Sequence, residues 1–79
     1  MAHTLDVRGL RCPVPLLRAR AALPGLLAGE TLVVLATDPE APIDLAALAA
    51  DHGLTCAVAE SAGEWTIELR SAAPGSPGG

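Results

Sequence analysis

Two apolar periods alternate along this chain, and their order constrains the fold more than anything else in it. His3 to Arg8 alternates, with Leu5 and Val7 apolar between polar Thr4, Asp6 and Arg8, as a half-buried strand requires. Pro13 to Leu23 changes to helical spacing, with Val14, Leu17 and Ala21 on one stripe beside Leu16 and Leu23. Pro24-Gly25 interrupts that helix because a proline ring clashes with the carbonyl four residues earlier. Leu26 to Ala28 can add one distorted turn. Thr31 to Thr37 is a continuous apolar run, which predicts an interior strand with both faces at least partly covered. A loop from Asp38 to Pro42 launches a second helix over Ile43–His52, and Gly53 ends it. Leu54–Ser61 and Glu64–Ser71 then read as a hairpin turning at Ala62-Gly63.

Strand, helix, strand, helix and a hairpin predict an α/β (α+β) two-layer sandwich. The order is βαβαββ, with a mixed four-stranded sheet and two helices on one face. The predicted domain spans residues 3–71, and the Pro/Gly/Ser-rich stretch 72–79 reads as a disordered tail. A chain of 79 residues with 51% hydrophobic content, no Phe and no Tyr must build a small aliphatic core. No apolar run approaches the roughly 20 residues that span a bilayer, and no secretory signal opens the chain. No membrane role and a cytoplasmic location follow as expectations.

The chemistry concentrates at Gly9-Leu10-Arg11-Cys12-Pro13-Val14-Pro15. Pro13 suits the first helical position, where its missing N–H costs nothing, which makes Cys12 the expected N-cap. A sulfur there faces the positive end of the helix, and Arg11 adds charge. Both lower a thiol below its free value. Pro13 and Pro15 donate no N–H, so the expected lowering is modest. The competing reading is an inert buried thiol, common for free cysteine. Exposure of the proline-rich turn favours reactivity.

Other candidates carry less. Cys56 lies in a strand beside Val58 and reads as a core residue. Cys12, Cys56, His3 and His52 lack metal-ligand spacing, so no metal site is expected. Nothing in the spacing pairs Cys12 with His52 or His3 as a base. Asp38 and Asp44 both read as helix-start carboxylates that offset the macrodipole. The chain has no Lys, which excludes a P-loop or Schiff-base lysine.

Residues 1–28 carry Arg8, Arg11, Arg18 and Arg20 against Asp6, whereas the remainder carries eight acids against Arg70. Arg18 and Arg20 fit a solvated helix face, while Arg8 and Arg11 flank the cysteine segment. A basic patch around Cys12, steering an acidic partner, is the expectation. Net charge −4 and the lack of stacking aromatics argue against direct nucleic-acid binding.

Leu5 to Pro15, with Gly29-Glu30-Thr31-Leu32, Asp38-Pro39, Asp44-Leu45 and Gly53-Leu54, resembles the TusA/SirA family of sulfur-carrier proteins. Its mark is a Cys-Pro-X-Pro motif. The resemblance implies a sulfurtransferase-type carrier with Cys12 as the persulfide-bearing catalytic residue and Arg11, Pro13, Pro15 and Asp38 in support. It implies no cofactor beyond that covalent sulfur. It also implies a cysteine desulfurase or rhodanese-like donor and a downstream acceptor in tRNA thiolation, cofactor synthesis or sulfur metabolism. The chain departs from the family pattern at Thr37, where an acid is usual, at Ala49, where many members carry a second cysteine, and at Pro24. A thiol redox sensor and a non-catalytic regulatory module are the alternatives.

Overall fold

The computed structural model describes residues 2–26 and 29–71. The expected tail at 72–79 and the turn expected at Leu27 and Ala28 lie outside the described residues. Among the described residues the order is β1 (Ala2–Asp6), α1 (Val14–Ala22), a 3-10 turn (Leu23–Gly25), β2 (Thr31–Ala36), α2 (Ala41–Asp51), β3 (Thr55–Ser61) and β4 (Glu64–Arg70). The sheet runs β1-β2-β4-β3, with β1 parallel to β2 and β4 antiparallel to both of its neighbours. This is the expected mixed sheet with two helices on one face. No helix among the described residues is long and apolar enough to cross a membrane.

The apolar run of β2 sits inside the sheet, between β1 and β4. Leu32, Val34 and Ala36 are buried on the helix side, while Val33 and Leu35 on the other face are half-buried. Leu32 stands opposite Leu69 and Val34 opposite Ile67, so the two central strands supply the floor of the core. Val7, Ala19, Ala41, Leu45, Leu48 and Ala49 close it from above, and Trp65 packs at its margin. Ala19, Ala41 and Ala49 matter because small side chains let the helices lie near the sheet in a chain without Phe or Tyr. Leu45, Ile67, Leu69, Val7 and Val34 are its largest fully buried aliphatic side chains. Such burial contributes about 1.5–3 kcal/mol per residue.

The boundaries shift at the prolines. α1 starts at Val14 with Pro13 as N-cap, so Cys12 stands one residue before the cap. α2 starts at Ala41, two residues earlier than expected, because Pro42 in the first turn needs no N–H partner. It ends as expected, with Gly53 N–H bonding to Ala50 C=O and Leu54 N–H to Ala49 C=O, the paired bonds of a Schellman cap. Pro24 confines the end of the first helical segment to a 3-10 turn.

Candidate functional site

Because β1 and β2 are parallel and each is followed by a helix, α1 and α2 both begin at the same end of the sheet. That end, beyond the carboxyl ends of parallel strands, is where α/β folds place ligands and reactive groups. The chain leaves β1 through a turn in which Leu10 N–H bonds to Val7 C=O. Gly9 takes a φ of +82°, a conformation costly for any residue with a Cβ, and its N–H donates to Thr37 Oγ1 at 2.9 Å. Thr37, one of the departures from the family pattern, thereby holds the cysteine segment against the end of β2.

A second turn follows at once, with Val14 N–H bonded to Arg11 C=O at 2.8 Å and a cis Cys12–Pro13 peptide bond. Pro13 is exposed, while Pro15 is fully buried and anchors the first turn of α1 in the core. The thiol of Cys12 is exposed, not enclosed in apolar packing.

Two carboxylates from the second crossover receive it. Asp38 Oδ2 accepts the Cys12 N–H at 2.6 Å, and Asp38 Oδ1 accepts the Glu40 N–H at 2.8 Å. Those two backbone bonds, with Arg11 nearby, hold the Asp38 carboxyl below its ordinary value of 3.8. Cys12 Sγ donates to Asp44 Oδ2 at 3.0 Å. The sulfur thus meets the acid on the first turn of α2 instead of the bare opening of α1.

The electrostatics reverse the expectation drawn from the motif. The hydrogen bond to Asp44, then desolvation, then the charges of Asp44, Glu40 and Asp38 push the Cys12 thiol up to about 11. A neighbouring anion disfavours the thiolate, as elementary electrostatics requires. Arg8 does not offset it, because its guanidinium is held by Asp6 at 2.8 Å and Glu64 at 3.5 Å. Arg11 is exposed and acts on Asp38. The surroundings of the sulfur are therefore acidic, not the basic patch expected from the Arg count. An open cavity of about 250 Å³, lined by Gly9, Leu10, Arg11, Thr37, Asp38 and Pro39, lies beside the cysteine turn.

The structure brings Cys12, Arg11, Pro13, Pro15 and Asp38 into one region and adds Asp44, which its sequence position assigned only to helix capping. Neither histidine shares that region: His52 caps the far end of α2, and His3 bonds Glu30 Oε1 at 3.1 Å from the start of β1. Cys56 is half-buried against the core, and burial pushes its thiol up.

A family model described as "Sulfurtransferase TusA" matches residues 3–71. The chain belongs to the TusA sulfurtransferase family. Membership places it among proteins of sulfur transfer. Two proteins of Neisseria meningitidis, from serogroups A and B and each named "Putative sulfur carrier protein", are 50% identical to it over 52 residues. That match covers 66% of this chain and 70% of each relative. The crystal structure of a SirA-like protein from Desulfitobacterium hafniense superposes with a TM-score of 0.80 at 27% identity. It covers 91% of this chain and 99% of that one. The likeness covers most of the chain, so the TusA/SirA resemblance read from the motif holds for the fold as well.

Proposed function

We propose that this chain carries sulfane sulfur as a persulfide on Cys12. The sulfur comes from a cysteine desulfurase or a rhodanese-like donor and goes to an acceptor protein in tRNA thiolation, cofactor synthesis or sulfur metabolism. The observation that carries this reading is an exposed thiol on a turn braced from two sides, by Thr37 on Gly9 and by Asp38 on Cys12 itself. Exposure lets a donor persulfide reach the sulfur, and bracing fixes the backbone from which it projects.

The step is an exchange with no net oxidation. The Cys12 sulfur bonds the outer sulfur of the donor persulfide, and the donor's S–S bond breaks. The donor leaves as a thiol, having taken up the proton that Cys12 releases. Unloading is the same exchange with the acceptor's thiolate attacking the outer sulfur on Cys12. Turnover therefore depends on partner proteins, and no cofactor other than the carried sulfur enters it. The reducing cytoplasm, which keeps Cys12 and Cys56 free, suits this chemistry.

The test is incubation with a cysteine desulfurase and cysteine, followed by intact-mass and peptide analysis. The expected result is a gain of about 32 Da, one sulfur, on the Cys12 peptide and none in Cys12→Ser. No gain on Cys12 removes the proposal. The redox-sensor alternative lacks a resolving thiol beside Cys12, since the other cysteine, Cys56, is half-buried on β3.

A further inference from the structure

We infer that Asp44 is a positioning residue that guards Cys12: it docks the empty carrier's thiol on α2 and expels the sulfur once a second sulfur is attached. This deepens the persulfide reading and rests on it. The geometry is a direct Sγ–Oδ2 contact of 3.0 Å between an exposed thiol and a carboxylate on a different element. The backbone N–H of the same cysteine is fixed at 2.6 Å on Asp38, so the thiol cannot leave Asp44 by a shift of the turn without losing a second bond. Three acids face the sulfur: Asp44 from α2, with Glu40 and Asp38 from the segment before it. From its own segment Arg11 is the adjacent cation, and its charge acts on Asp38.

The two states of the carrier meet that carboxylate differently. A thiol can donate its proton to Asp44, whereas a persulfide is more acidic than a thiol and ionises near neutrality. The loaded form then has no proton to give and puts a negative sulfur against a carboxylate. The contact that holds the empty state therefore repels the loaded one, turning the outer sulfur toward solvent and a partner. At the empty stage the same contact is protective. Between the ordinary thiol value of 9.0 and the value of about 11 set by this site, the thiolate fraction at pH 7 falls about 100-fold. A less acidic thiol is intrinsically the better nucleophile, with a Brønsted slope of about 0.4–0.5, which returns roughly one decade. The net shielding from stray electrophiles is about tenfold.

The experiment compares the full chain with Asp44→Asn and Asp44→Glu. Iodoacetamide alkylation of Cys12, read by peptide mass to separate it from Cys56, is followed from pH 6 to 12. Asp44→Asn should lower the midpoint from about 11 toward 9 and react about tenfold faster at pH 7, while Asp44→Glu should stay near the parent. Sulfur is then exchanged to equilibrium with glutathione and glutathione persulfide. Asp44→Asn should hold more sulfur at equilibrium than the parent, because the hydrogen bond that favours the empty thiol and the repulsion on the loaded sulfur are both gone. Faster alkylation with greater loading is a signature that loosening of the turn does not produce, since loosening speeds exchange without shifting its equilibrium toward the loaded form. An unchanged alkylation midpoint in Asp44→Asn overturns the inference, and so does equal or lower loading at equilibrium. The alkylation arm needs no sulfur, so failure of the carrier reading would show separately, as absence of loading in the parent.

Discussion

One carboxylate, Asp38, clamps Cys12 from a position 26 residues along the chain: Oδ2 takes the cysteine's backbone N–H at 2.6 Å while Oδ1 takes the N–H of Glu40 at 2.8 Å. The clamp ties the approach to α1 to the approach to α2, and so sets the distance at which the Cys12 side chain finds Asp44.

Asp38 titration should report the clamp directly. Its folded pKa is depressed, chiefly by those two backbone bonds, so its stabilising contribution is complete above 3.8 and is lost as pH falls through the lower folded value. The amide resonance of Cys12 should therefore move with a midpoint below 3.8. In Asp38→Ala that titration should vanish, and exchange of the Cys12 amide proton should quicken by about tenfold or more, the scale of one lost charge-assisted bond. A Cys12 amide that ignores acid down to pH 2 would show the clamp to be absent in solution.

The alkaline side is unusually clean, because the chain contains no Lys and no Tyr. Both thiols have folded values above 9.0. The folded state thus binds more protons than the unfolded one in that range, and stability must fall as pH rises. For Cys12 the contribution is complete below pH 9 and is lost as pH climbs through about 11. Urea midpoints measured at pH 8, 10 and 11 should decline, and Cys12→Ser should flatten the decline between 9 and 11. Equal slopes in the two proteins would contradict a raised Cys12.

That reversal also shows where the sequence stops being legible. The strand and helix order, the interior position of Thr31–Ala36 and the exposure of the Cys12 turn follow from local period and proline chemistry. Asp44 was visible only as an acid in a first helical turn, a position where the macrodipole already accounts for a carboxylate. Its second role depends on β1 and β2 running parallel, which brings two helix starts to one end of the sheet. Arg8 failed as a marker for the opposite reason. It lies four residues before Cys12 in sequence, yet it reaches Asp6 on β1 and Glu64 on β4. Charges counted along a segment do not say which side chains a sheet will pair.

Packing predicts a sharp contrast within α2. Leu45 is fully buried, whereas Ile43, two residues earlier, is 67% exposed. Leu45→Ala should cost about 2–5 kcal/mol, the transfer of the lost carbons plus the cavity they leave. Ile43→Ala should stay within about 0.5 kcal/mol. Urea denaturation of both variants checks the difference. A loss at Ile43 approaching that at Leu45 would show that Ile43 is covered in solution.

The β3–β4 hairpin turns on Ala62 and Gly63, with φ of +54° and +80°, both in the left-handed region that a two-residue I′ turn demands. Glycine takes this conformation freely; alanine there crowds its Cβ against the following carbonyl at about 1–2 kcal/mol. Replacing Ala62 with Gly removes that strain but returns roughly 0.4–1 kcal/mol of chain entropy to the unfolded state. Ala62→Gly should therefore stabilise the fold by about 0.5–1 kcal/mol. Gly63→Ala should destabilise it by about 0.5–1 kcal/mol, the same two effects with their signs exchanged, since a Cβ there meets nothing within 4 Å. Opposite signs at adjacent positions, read from urea midpoints at unchanged m-value, are the expected result. A stabilising Gly63→Ala would mean that the turn in solution is not of this type.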